Sequence, residues 1–335
     1  MIGNTTHKGR LVAPFILLSV GIVHAQSASL PMAFPLDCNL GETCYIQQYK
    51  DRDPETGRVH DFGCGKMAND GHSGTDFALP SLAAMARGVT IRPVAPGTVR
   101  ATRDGMEDIS SLAENAPDIN GRDCGNGLRI SHAGGWETRY CHMKKGSVAV
   151  KPGDKVSLTT KLGEVGISGR ASFPHLHLTV LKDDVQIDPF RPNPAETCSS
   201  SAIPENTLWS TPVPYTPGGL ISWGFHTAVP EFQEIKSGLD SPESLPSNTP
   251  AMVLWGYSYG ALKNDTISFQ ITGPTGGVID TQEVLKKSQP FVYRASGKRT
   301  PAQGWPIGSY SGTVTHTRGD TVLGTRELAL EITAN

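Results

Sequence analysis

Along most of this chain, apolar residues recur with a period of two rather than in helical spacing. The alternation is strictest near the C-terminus, at Ile267, Phe269 and Ile271 before Gly273-Pro274, and again at Leu328, Leu330 and Ile332. Residues 310–317 alternate large and small in the same way. A period of two places such residues on one face of a strand. Short apolar or alternating runs also fill 61–191, at 75–79, 89–94, 97–101, 128–131, 148–150, 162–166 and 176–181, each bounded by Gly or Pro. This pattern predicts a mainly β chain. One helix is expected over 81–86, and 104–120 reads as an inserted loop. Residues 31–63 read as an irregular, turn-rich lead-in, and 193–206, with its prolines and serines, as a linker.

Composition adds scale and compartment. A length of 335 residues predicts two folded units, and 37% apolar with 19% charged residues supports ordinary cores. Gly 37 and Pro 25 fit many turns between short strands. The net charge of −2 gives no reason to expect a nucleic-acid partner. Lys8 and Arg10 precede an apolar run at 11–23, and Val23-His-Ala25 offers small residues before a cut. Residues 1–25 are therefore expected to be a cleaved export signal, giving a periplasmic or secreted protein with no membrane segment in the mature chain. The run is short for a transmembrane helix.

Six cysteines suit that compartment, as disulfides in one of 15 possible pairings. Cys124 and Cys141 flank an expected hairpin, Cys38 and Cys44 would close a small loop, and Cys64 with Cys198 would remain. Thiolate metal ligation is the competing use, but no Cys-x-x-Cys occurs.

Metal-capable chemistry is concentrated in three places. His72 and Asp76 are four apart, and on an extended segment both lie on one face, with Gly74 permitting a bend between them. Taken alone, this is equally a surface turn capped by Asp. His175 and His177 alternate with Leu176 and Leu178, so a strand points both imidazoles the same way. His142 alone would be a strand-end histidine. Two imidazoles, one carboxylate and an open fourth position make up a catalytic zinc set. His226 and His316 are isolated and read as ordinary surface or packing residues.

The order of these motifs resembles the lysostaphin-like (LytM-type) zinc endopeptidases. The resemblance covers about 61–191 and rests on His72-x-x-x-Asp76, Ala95-Pro-Gly-Thr-Val99, Gly125-Asn-Gly127, Tyr140-Cys-His142, Pro152 to Val156, the glycines 163, 166 and 169, and His175-Leu-His177. Ala95-Pro-Gly-Thr-Val99 has one residue fewer before its Gly than the family's Ala-x-x-Gly-x-Val, Phe173-Pro174 stands where a Gly is common, and Leu178 follows His177 in place of Phe. The resemblance implies an antiparallel β-groove metallopeptidase domain of the duplicated hybrid motif type over 61–192. It implies one Zn2+ per chain held by His72, Asp76 and His177, with His142 and His175 as the catalytic pair. It further implies peptide stems of bacterial peptidoglycan as substrate. His132 matches a hairpin position and reads as structural, and Asn126 has two open readings, a place near the implied site and a turn role. His60, Asp61 and Asp70 acquire no role.

A lead-in at 26–60 would precede this domain. Residues 207–335 would form a smaller immunoglobulin-like β-sandwich. Two other readings compete with a wall endopeptidase: a non-catalytic wall-binding protein or regulator of other hydrolases, and a purely structural zinc. The intact His72, Asp76 and His177 set argues against the first, and the lack of a fourth protein ligand against the second. Oligomeric state is not expressed in the pattern.

Overall fold

The computed structural model describes residues 1–4, 29–193 and 206–334. Most of the expected signal, most of the linker, and Cys198 lie outside the described residues. The N-terminal half builds ten strands and one α-helix: β1 (Tyr45–Gln48), β2 (Thr75–Ala78), α1 (Leu82–Arg87), β3 (Thr90–Ile91), β4 (Gly97–Arg103), β5 (Asn126–Ser131), β6 (Trp136–Met143), β7 (Lys155–Val156), β8 (Gly163–Glu164), β9 (His175–Lys182) and β10 (Val185–Ile187). Eight of these strands form one antiparallel sheet in the order β1-β2-β9-β6-β5-β4-β7, with β10 pairing β9. The helix begins where Ser81 caps it, its hydroxyl accepting from the Ala84 N–H at 3.2 Å.

Two expectations from the pattern need correction. Residues 148–150 form no strand; Ala149 makes a single backbone bond to the Leu162 carbonyl, and Pro152 lacks an N–H to continue a ladder. The stretch 31–63 is not merely irregular. It supplies β1 to the large sheet, and Met32, Leu36, Ile46 and Tyr49 are buried in its core. Asp61 ties this stretch down. One carboxylate oxygen accepts from the Gly63 and Gly65 N–H groups, and the other from Met67 N–H and the Tyr215 hydroxyl.

The C-terminal half adds β11 (Gly219–His226), α2 (Phe232–Ser237), β12 (Ser244–Pro246), β13 (Ala251–Ala261), β14 (Thr266–Gly273), β15 (Gly276–Val284), β16 (Gln289–Arg299), β17 (Gly308–Arg318) and β18 (Thr321–Thr333). They form a three-stranded sheet, β11-β13-β16, and a five-stranded sheet, β12-β18-β17-β14-β15. The alternating residues Ile267, Phe269, Ile271, Leu330 and Ile332 are buried between these two sheets with Met252 and Leu254 of β13.

β13 is buried on both faces. Its other set, Trp255, Tyr257 and Tyr259, belongs to the core of the N-terminal half, alongside Tyr45, Phe77 and Leu176. Phe291, Tyr293 and Ala295 of β16 alternate onto the same core. The three-stranded sheet is therefore a middle layer serving two cores. Trp209 and Trp255 are buried in the core of the N-terminal half and Trp305 in the core between the two C-terminal sheets. His316 is also fully buried, 3.0 Å from the Asp265 carboxylate.

Disulfides join Cys38 to Cys44 and Cys124 to Cys141. Cys64 is disulfide-bonded as well, and its expected partner Cys198 is outside the described residues. Among the described residues, no helix is long and apolar enough to cross a membrane.

The shared core yields a prediction. Tyr259 is 4% exposed and its ring lies 4.6 Å from that of Tyr45. Tyr259→Ala is expected to cost about 3 kcal/mol, the usual scale for emptying a buried aromatic position. Urea denaturation checks it, and a loss below about 1 kcal/mol would show that the two halves do not depend on a common core.

Candidate metal centre

The site is built by strand register. Asp76 of β2 pairs directly with His177 of β9, and His177 pairs with Cys141 of β6. Directly opposed residues share a sheet face, so Asp76 and His177 open on the same side. His175, two residues earlier, shares that face. His72 arrives from the loop before β2, and His142 from the end of β6. All five line one open groove of about 900 Å³.

Gly74 makes the approach of the His72 loop to β9 possible. A Cβ there would lie 2.4 Å from the Leu178 carbonyl oxygen and 2.8 Å from the His177 ring. The Gly74 bend read from the sequence is thus also a close-approach requirement.

Three of the four imidazoles are locked by a backbone carbonyl. His72 Nδ1 is 2.7 Å from the Tyr49 oxygen, His142 Nδ1 is 2.7 Å from that of Ser168, and His175 Nδ1 is 2.8 Å from that of Phe173. A carbonyl only accepts, so each Nδ1 carries the proton and donates it. In the neutral ring the lone pair then sits on Nε2. His177 is turned the other way: its Nδ1 is 2.8 Å from Asp76 Oδ1, while the Thr179 and Ser73 hydroxyls stand 3.1 and 3.3 Å from Nε2.

Asp76 Oδ1 is the meeting point. It lies 3.2 Å from His72 Nε2, 2.8 Å from His177 Nδ1 and 3.7 Å from His175 Nε2. With Nδ1 of His72 already donating to Tyr49, a neutral His72 turns a lone pair toward a carboxylate oxygen. Two acceptors facing each other are satisfied by a proton or by a cation between them. His72, Asp76 and His177 are also the set among the described residues whose ligand atoms all lie within 4.8 Å of one another. Two imidazole nitrogens, their rings oriented by outer hydrogen bonds, and one carboxylate oxygen form a donor set that fits zinc.

Electrostatics follow from the same contacts. Burial pushes the Asp76 carboxyl up, but the neighbouring His72 and His175, with hydrogen bonds from His177 and His72, hold it well below the usual carboxylate range. Burial also opposes charge on His72, yet Asp76 and the Tyr49 carbonyl outweigh it and raise that ring. His142 moves the other way: burial, reinforced by His175 and His177, pushes it well below the ordinary histidine value. His175 is lowered by burial, partly offset by Asp76 and the Phe173 carbonyl.

Several contributors escape the motif pattern. Tyr49, Ser168 and Phe173 act through their carbonyls, which no residue type announces. The Phe173 ring stacks on His175, with centroids 4.5 Å apart, and meets Phe291 of β16 at 5.3 Å. Phe291 and Pro290 thus bring the C-terminal half to the groove wall. Asn126 is buried, its amide donating to the Met106 and Met143 carbonyls, so it ties the 104–120 loop to the end of β6 and does not line the groove. His132 bonds Pro96 and Thr138 away from the groove. His60 sits beside Asp53, and Asp70 accepts from the Gly57 N–H.

Residues 70–189 match peptidase family M23. The M23 segment contains all five candidate side chains and runs from the loop before β2 to just past β10. Peptidoglycan DD-endopeptidase ShyA of Vibrio cholerae is 31% identical over 137 residues, 41% of this chain and 26% of that protein. ShyB of the same organism is 32% identical over 139 residues, 42% of this chain and 25% of that protein. The chain therefore spans about a quarter of the length of these curated relatives. A solved zinc-containing peptidase from Vibrio cholerae is 26% identical, covering 48% of this chain and 39% of that one, with a TM-score of 0.30.

The burial of His142 sets a pH dependence for the M23 segment. Its folded-state pKa is depressed, so the stability tied to the neutral ring is present above the ordinary histidine value and is lost as pH falls below it. Stability is expected to decline from pH 7 to 5, and His142→Asn should flatten that slope. Asn tolerates the left-handed backbone of this position (φ 64°). Urea midpoints across that range provide the check, and an unchanged slope in the variant would refute the assignment.

Proposed function

We propose that this protein is a zinc-dependent endopeptidase that hydrolyses peptide cross-links of bacterial peptidoglycan. The observation that carries the proposal is the convergence of His72 Nε2, His177 Nδ1 and Asp76 Oδ1 in the lining of an open groove, with two further histidines beside them. The M23 match supports a peptidase, and the DD-endopeptidase names of its relatives support the substrate class.

In this reading His72, Asp76 and His177 hold one zinc. A zinc ion bound there supplies a Lewis acid for the scissile carbonyl and a lowered pKa for water at the open position. His142 and His175 handle protons. Each has its Nδ1 proton committed to a backbone carbonyl, so Nε2 is the atom that faces the groove and exchanges protons. Between them they accept a proton as water attacks and deliver one to the departing amine. The protonated ring donates an N–H toward the carbonyl oxygen as negative charge develops on it. Phe173, stacked on His175, limits that ring's rotation.

The catalytic unit is read as 61–192, completed by β1 from the 26–60 stretch, and 207–335 as a sandwich of the immunoglobulin type. Action outside the cytosol is supported by the Cys38–Cys44 and Cys124–Cys141 disulfides.

Metal analysis and digestion of defined wall fragments test the proposal. The wild type is expected to carry about one zinc per chain and to cleave. His177→Ala is expected to lose the metal and at least about a hundredfold in rate. His142→Ala and His175→Ala should retain metal while losing roughly 10²–10⁴ in rate. A His177→Ala variant with full activity would end the proposal.

A further inference from the structure

The strand register that builds the metal centre also lays a second row of side chains beside it. One step along the sheet from the Asp76–His177–Cys141 row, Thr179 pairs with Arg139, Arg139 with Arg129, and Arg129 with Ala101. Two residues along a strand is about 7 Å, and the side chains return to the same face. Arg139 and Arg129 accordingly line the same groove as the histidines.

Two arginines directly opposite each other on adjacent strands repel. One carboxylate serves both: Glu137 takes Arg129 through Nε at 3.0 Å and Nη2 at 2.6 Å, and Arg139 through Nε at 3.0 Å. The trio keeps one net positive charge, and the side chains of Arg129 and Arg139 remain 47% and 40% exposed. Arg103, also lining the groove, donates among the described residues to the Gly125 and Arg122 carbonyls, while Arg170 is paired with Asp123. Beyond the metal centre, four groove arginines therefore stand against the carboxylates of Asp123 and Glu137, a positive surplus in a chain whose net charge is −2.

We propose that Arg139 and Arg129 form a carboxylate-binding subsite, one residue row from the His72, Asp76 and His177 centre, that receives a free carboxylate of the peptide substrate. Glu137 holds the two guanidinium planes in place and leaves the Nη groups of Arg139 to the ligand. A guanidinium presents a fork that matches a carboxylate, which a lysine in the same place does not. The inference rests on the reading of the groove as a peptide-cleaving site and specifies the substrate as acidic.

The test uses the full-length protein with a cross-linked stem peptide bearing free carboxylates and with the same peptide amidated. Cleavage is measured as kcat/KM, and binding by calorimetry on the His175→Ala background, where turnover does not interfere. The wild type is expected to favour the carboxylate form by about tenfold, the scale of one charge-assisted hydrogen-bond pair. Arg139→Gln should bring the ratio near one and Arg129→Gln should lower it, both with KM affected more than kcat. Glu137→Gln, which removes the competing carboxylate, should raise the ratio; a merely structural role for the trio predicts no such gain. Equal handling of the two peptides by the wild type, or an unchanged ratio in both arginine variants, overturns the inference. If neither peptide is cleaved, the proposed activity fails, while the binding ratio still decides the subsite.

Discussion

The ladder between β2 and β9 places the Asp76 carboxylate directly opposite His177, and the rest of the site depends on that single pairing. A strand alternates faces with every residue, so a slip of one position would send His177 into the apolar side and bring Leu176 or Leu178 to the groove. The opposite face prevents the slip. Phe77, Leu176 and Leu178 are fully buried in the core, and exposing any of them costs roughly 2 kcal/mol. The hydrophobic alternation that folds the sheet is thus the same constraint that aligns the ligands. The register then propagates through β6 and β5, so one set of hydrogen bonds sets the spacing between the metal centre and the arginine row.

Within that frame, backbone carbonyls do the fine positioning. Three separate segments, at Tyr49, Ser168 and Phe173, each commit one imidazole proton. Ser168 is itself anchored, its hydroxyl donating to the Met143 carbonyl and accepting from the Asn126 N–H. Gly169 lets this turn pack tightly, since a Cβ there would lie 2.4 Å from the Asp123 carbonyl oxygen. The turn's φ of +79° further favours glycine. Four imidazoles crowd around one buried carboxylate, where burial and the neighbouring His175 and His177 oppose charge on His142; such local frustration is what a binding site stores.

The strands and the five polar residues were legible because both depend on short-range regularity. Period-two alternation exposed β9, β14, β17 and β18, and the spacing of His175 and His177 read directly as a shared face. Histidine and aspartate also announce metal chemistry by type. The parts that were not legible depend on distant contacts. Nothing in Tyr45-Ile-Gln-Gln48 says that it pairs β2, and a carbonyl at Phe173 or Ser168 carries no residue signature. β13 is the clearest example: its apolar run, Met252 to Tyr259, has no alternation to read because both faces are covered. Such runs signal burial on two sides but not by which partners.

That double burial changes what the C-terminal half is doing. A tethered module joined by a linker would meet the M23 segment through a modest, polar surface. Here Trp255, Tyr257 and Tyr259 complete the segment's own core, and Phe291 continues the same face of the middle sheet to the groove edge. Phe291 meets Phe173, and Phe173 stacks on His175. The path from the second half to the histidine pair is therefore two aromatic contacts long, carried by a strand that is fixed between two cores. The position of the His175 ring is consequently a property of the whole chain rather than of the M23 segment alone.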